Sequence, residues 1–136
     1  MSTIKVTNIK NETSTSNTLA FSPDGRVTVL GAIGAISAVS SSSGTLTLDL
    51  ATSNNFSTTL SENTTLANPS NITAGQSGVL YITQDSTPRT LAFGSYWDFE
   101  GGTAPTISTG SGAVDVLVWT ARTTTNIAAQ VLLNFS

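Results

Sequence analysis

The groups in this sequence that could carry out chemistry are a handful of carboxylates. Asp98 and Glu100 fall in one short loop, and Asp115 lies on a later strand-like run that could bring it towards them across a sheet. Glycoside hydrolysis requires two carboxyl groups held about 5 Å or about 6.5–9.5 Å apart. Asp98, Glu100 and the carbonyls of their loop are also the candidates for a Ca²⁺ site, although the dense Asp/Asn spacing of a dedicated calcium loop is missing. Any chain with eight acids offers such groupings. The plainer reading makes Asp98 and Glu100 solvated loop residues and Asp115 a capping or pairing group near a strand end. Histidine and cysteine are both absent. Their absence removes Ser-His-Asp and Cys-His nucleophilic chemistry, the commonest general base, imidazole and thiolate metal ligands, and disulfides. The sequence therefore predicts a protein that is not an enzyme, with no catalytic residue, no cofactor and no bound metal.

Aromatic side chains are the other candidates for a site. Tyr96 and Trp97 stand beside the Gly-rich loop Glu100-Gly-Gly-Thr-Ala-Pro105, where their rings could stack on a sugar or meet a partner. The competing reading has them plugging the end of a β-structure. Trp119 sits on an alternating strand and reads as core or as subunit interface.

Composition narrows the partners. The 136 residues carry a net charge of −3, and only 10% are charged. The five basic residues are scattered, so no stripe tracks a phosphate backbone and no nucleic-acid partner is expected. Ser and Thr make up about a third of the chain. Thr tolerates extended backbone, while Ser and Asn suit turns. The N-terminus has no long apolar stretch with a small-residue cleavage site, and the run from Val27 to Val39 is broken and too short for a bilayer. The expectation is a soluble protein made in a cytoplasm, with no membrane partner.

Period-2 alternation bounded by turn residues runs along the whole chain, and no segment keeps a helical period for three turns. Ile4, Val6 and Ile9 fall in a first strand. Leu19 and Phe21 then lead into Ser22-Pro-Asp-Gly25, a hairpin signal. Residues 1–30 thus read as a small N-terminal β arm. Residues 31–43, rich in Gly, Ala and Ser, read as a connector. From 44 to 136, strands are expected at Thr45–Leu50, Asn55–Leu60, Thr64–Ala67, Gly78–Gln84, Arg89–Phe93, Ala113–Thr120 and Ile127–Phe135. Their spacing predicts an all-β fold, an antiparallel β-sandwich or jelly-roll-like domain. No tandem repeat stands out, although three Leu-containing, Thr-rich strands are loosely alike.

The order of these pieces resembles the β-sandwich modules of tailed-bacteriophage virion proteins. The features that carry the resemblance are Leu46-Thr-Leu-Asp-Leu50 with Asn55-Phe56, Asn63-Thr-Thr-Leu66, and Ala74-Gly-Gln-Ser-Gly78 leading into Leu80-Tyr-Ile-Thr-Gln-Asp85. Arg89-Thr-Leu-Ala-Phe93, Glu100 to Pro105 and Asp115-Val-Leu117 continue it. The beginning, Ser2 to Lys10 with Asp24-Gly-Arg-Val-Thr28, is similar to starts of marine and cyanobacterial phage fibre-like proteins. The resemblance implies a virion location, at the capsid surface or on the tail: a capsid decoration (cement) protein or a tail-fibre module. With no shaft between arm and sandwich, the chain fits the first better. That role would attach residues 1–30, through Ile4, Val6, Ile9, Leu19 and Phe21, to the major capsid protein or other virion proteins, and would make the chain a homotrimer. The fibre alternative would use Tyr96 and Trp97 for host glycans.

Overall fold

The computed structural model describes residues 34–135. The arm expected at 1–30, with Ile4, Val6, Ile9, Leu19 and Phe21, lies outside the described residues. Nine strands occur among those described: β1 (Ile36–Ala38), β2 (Thr45–Leu46), β3 (Asn55–Leu60), β4 (Thr64–Leu66), β5 (Ser77–Gln84), β6 (Leu91–Phe93), β7 (Trp97–Phe99), β8 (Val114–Ala121) and β9 (Ile127–Leu132). One 3₁₀ turn, Glu100–Gly102, follows β7. The all-β expectation holds.

The strand directions correct the antiparallel expectation. A six-stranded mixed sheet has the order β1-β3-β5-β8-β9-β7, and a three-stranded sheet has the order β2-β4-β6. From β1 to β6 the chain alternates between the two sheets, and each return lays a strand parallel to the one before it in that sheet. Only β5–β8 and β8–β9 are antiparallel. Alternation along a strand fixes which side chains face inward but carries no information about direction. A strand that must visit the other sheet before returning comes back parallel, whereas a short hairpin returns antiparallel.

Residues 36–38, expected within a connector, form the edge strand β1. Ser and Ala accept extended backbone, and β3 supplies the ladder that fixes it. Val39 N–H donates to Ser57 O at 2.9 Å, and Ser53 Oγ donates to Ala35 O at 3.0 Å. The turn into β2 is closed by reciprocal backbone bonds between Ser42 and Thr45.

The three loosely alike Thr-Leu strands turn out to be neighbours. Leu46 stands beside Leu66, and Leu66 beside Phe93. On the six-stranded sheet, Phe56, Leu80 and Leu117 form a row across β3, β5 and β8. All these side chains are fully buried except Phe93, which packs partly buried against the same cluster. Leu46, Leu48 and Leu50 all face inward, as their alternation predicts. Both sheets contribute to this one cluster. Each fully buried Leu is worth about 2 kcal/mol of transfer free energy, so the leucine positions dominate the core.

Gly78 is the tightest point of the six-stranded sheet. It pairs with Trp119, and a Cβ built there would collide with Asn54 O and approach Trp119 Cζ2 to 2.9 Å. The obstacle is largely backbone, so it cannot swing away. Gly78→Ala should therefore lower stability by about 3 kcal/mol, read as a shifted midpoint in urea unfolding. A change within 0.5 kcal/mol of zero would contradict this packing.

Candidate functional site

The three carboxylates with chemical potential do not converge. Asp98 lies on the edge strand β7 with its side chain 44% exposed, 3.6 Å from Arg122 Nη1, and accepts from Asn126 Nδ2 at 3.3 Å. Glu100 is exposed on the 3₁₀ turn. Asp115 is buried on β8, facing inward opposite Ile82. Asp98 stands beside Ala128 at the start of β9, whereas Asp115 takes the Asn134 N–H beyond the end of β9. At about 3.3 Å per residue these places are about 20 Å apart along the strand. The approach of Asp115 to Asp98 and Glu100 expected across the sheet does not occur.

Asp115 instead ties two segments to the core. Its Oδ2 accepts from Ser108 N–H at 2.7 Å, and its Oδ1 accepts from Asn134 N–H at 2.8 Å. Gln84, equally buried, works beside it. Gln84 Nε2 donates to Arg89 O and Ser108 O, and its Oε1 accepts from Arg89 N–H. Two polar residues thus hold the 85–89 turn, the segment through Ser108 and the C-terminal residues against one end of the sheet.

Trp97, expected as a glycan or partner contact, is a core residue. It is 6% exposed and its Nε1 donates to Ala67 O at 3.1 Å, so most of its surface is spent in the core. Its place opposite Ile127, an inward position, explains the burial. Tyr96 is half-buried, with its N–H bonded to Asn68 Oδ1. Trp119 is also core, and its buried Nε1–H has no partner among the described residues. The aromatic surface nearby is made by residues that sequence reasoning passed over. Phe93 and Phe99 meet edge to face, with centroids 4.7 Å apart and planes at 66°. With Gly94, Trp97, Asp98 and Gly102 they border a cleft of about 180 Å³. The positive φ of Gly101 (67°) and Gly102 (70°) lets the loop turn away there, as its glycines predict.

The most extensive surface is the outward side of the six-stranded sheet. One row across it reads Ile36, Asn55, Val79, Val118 and Gln130, and the next reads Ala38, Ser57, Tyr81, Val116 and Leu132. Flanking positions are Thr59, Thr83 and Val114 on one side and Ser77, Thr120 and Ala128 on the other. From β1 to β9 no outward position is charged. Tyr81 and Leu132 are each 37% exposed. A shallow groove of about 490 Å³ crosses this face over β5, β8 and β9. The alternating pattern locates these side chains outside, but only the pairing register shows that Val79, Tyr81, Val116 and Val118 form one patch.

Among the described residues no group of three or more His, Cys, Asp or Glu is placed to hold a metal, and no helix is long and apolar enough to cross a membrane. A comparison with protein-family models, with curated proteins and with solved structures finds no match.

Three surface carboxylates are held below their ordinary pKa. Asp85 is lowered by the Arg89 guanidinium, which hydrogen-bonds it at 3.1 Å, and then by Thr87 N–H. Asp49 is lowered by Asn71 and Ala51 N–H, and Glu62 by the Ser41 hydroxyl and Gly44 N–H. A carboxylate with a depressed folded-state pKa stabilises the fold above its unfolded pKa and loses that contribution as pH falls through the folded value. The melting temperature should therefore stay level from neutral pH to about 5 and fall below about pH 4, less steeply in Asp85→Asn. A rise on acidification would contradict these contacts.

The buried clamp gives a second prediction. Asp115→Ala leaves two inward N–H groups unpaired and should cost about 3 kcal/mol. Hydrogen exchange at the Asn134 amide should accelerate by more than tenfold. Unchanged exchange there would show that Asp115 does not hold the C-terminal residues.

Proposed function

We propose that this chain is a non-enzymatic structural protein of a tailed-phage particle, a capsid decoration subunit that binds the head surface and reinforces it. The observation that carries the reading is the broad outward face of the six-stranded sheet, uncharged over β1, β3, β5, β8 and β9 and built on a core of stacked leucines. A surface of that form suits contact with other protein subunits. The carboxylates, in contrast, are spread over opposite ends of the sheet or committed to backbone N–H groups. In this reading the two sheets act as a rigid sandwich, and residues 1–30 supply attachment to the major capsid protein through Ile4, Val6, Ile9, Leu19 and Phe21. Several weak contacts per assembled unit then act as one strong attachment.

A second reading, a glycan-binding module of a tail fibre, is favoured by the Phe93–Phe99 cleft beside Asp98. Apolar ring edges next to a carboxylate suit a sugar that presents C–H and hydroxyl groups together. Trp97 lines the same cleft, with little of its surface exposed.

Quantitative mass spectrometry of purified particles, with antibody labelling in electron micrographs, separates the two. Decoration predicts hundreds of copies on the head, and deletion of residues 2–30 should abolish head binding without unfolding the sheets. A handful of copies confined to the tail, or full head occupancy after the deletion, would overturn the corresponding part of the proposal.

A further inference from the structure

The outward face of the six-stranded sheet has an arrangement that specifies its partner. The six strands run β1-β3-β5-β8-β9-β7, so the midline of the sheet falls between β5 and β8. Val79 and Tyr81 lie on one side of that line, and Val118 and Val116 stand directly opposite them on the other. Moving outward, β3 presents Asn55, Ser57 and Thr59. On the other side β9 presents Ala128 and Gln130, with Leu132 at its end. The apolar centre thus lies at the midline, while the margins are mixed, with Ile36 and Ala38 on β1 and Asp98 on β7 at the two edges. An exposed antiparallel strand pair normally turns polar residues to water, and here the centre holds Tyr81, 37% exposed, with half-buried Val79 and Val118 and buried Val116 beside it.

We propose that this face is a self-association surface, on which a second copy of the chain packs sheet to sheet. Three features favour a second copy over another occupant. In a two-fold contact the same patch must serve on both sides, and an apolar centre astride the sheet's own midline meets that condition. The chain carries a net charge of −3, so two copies repel unless they meet where neither is charged. This face, from β1 to β9, is such a place, and a partner recognised by its charge would gain nothing from it.

Area is the third feature. The five strands β1, β3, β5, β8 and β9, about 4.8 Å apart and roughly six residues long, at about 3.3 Å per residue, give an uncharged face of about 500 Å². Two such faces bury about 1,000 Å², the size at which specific interfaces begin. The packing would place the two sheets about 10 Å apart with their strands within about 30° of each other. Apolar side chains then form the centre, and the Ser, Thr, Asn and Gln side chains form the rim.

The test uses the purified full-length chain, and it is independent of the particle reading. Native mass spectrometry and light scattering, over a concentration series, should give a closed oligomer of the chain. Tyr81→Glu and Val118→Lys, at the centre of the face, should weaken association at least tenfold. The nearly isosteric Val118→Thr should weaken it less, and guards against a variant that fails to fold. Ala92→Glu, exposed on β6 of the other sheet, should leave the assembly unchanged. A wild-type chain that stays monomeric throughout, or an oligomer that survives Tyr81→Glu and Val118→Thr in folded protein, would overturn the proposal. A monomeric chain found in hundreds of copies on a phage head would overturn this inference alone. An oligomer lost in these variants but absent from any particle would leave it standing and remove the proposed function.

Discussion

The contact on which the rest of this structure depends is the packing of apolar side chains between successive parallel strands. Leu46, Leu66 and Phe93 stand side by side because the chain returns to the same sheet in the same direction each time. Phe56 and Leu80 do the same in the larger sheet, and Leu117 extends their row on an antiparallel strand. β2, β4 and β6 are too short to be stable alone, since strands of two or three residues make few ladder bonds. Their fixed positions come from burying leucines in a core shared with the six-stranded sheet. With neither disulfides nor a metal-binding cluster among the described residues, that shared core is the main source of stability.

Polar residues finish what the leucines begin. Gln84 and Asp115 occupy inward positions that alternation would assign to apolar side chains, and both are satisfied by backbone groups of segments that lack a regular ladder. A buried carboxylate is tolerable only when its lone pairs are used. Asp115 has an N–H on each oxygen. The same residue that reads as a catalytic candidate by type is therefore a fastening by position.

What was legible in the sequence follows from what alternation encodes. The inward leucines at 46, 48 and 50, the strand Asn55–Leu60 and the long central strand ending at Gln84 were all readable, because burial repeats every second residue there. The glycine-rich turn at Gly101–Gly102 was readable as well. Strand direction was not, since Thr45-Leu46 and Thr64-Thr-Leu66 look the same whether paired parallel or antiparallel. β1 was hidden because Ile36-Ser-Ala38 has the composition of a connector, and an edge strand needs only its neighbour's ladder. Trp97 stayed open between a contact and a core reading because its neighbours in sequence, Tyr96 and a Gly-rich loop, lie nearer the surface while β7 turns its own side chain inward. The apolar patch on the outward face joins β5 and β8, strands separated by the whole of β6, β7 and the following loop, and no local pattern announces it.

Among the described residues, apolar side chains stack between the strands and Asp115 fastens two irregular segments to them. The parallel return of the strands from β1 to β6 is the central claim, because the stacked rows of the core follow from it. It is tested most directly by nuclear Overhauser contacts in labelled protein. Parallel pairing predicts amide-to-α-proton contacts linking Leu46 with Leu66 and Leu66 with Phe93 in the observed register. Close α-proton pairs between 45–46 and 64–66, the signature of antiparallel neighbours, would contradict it.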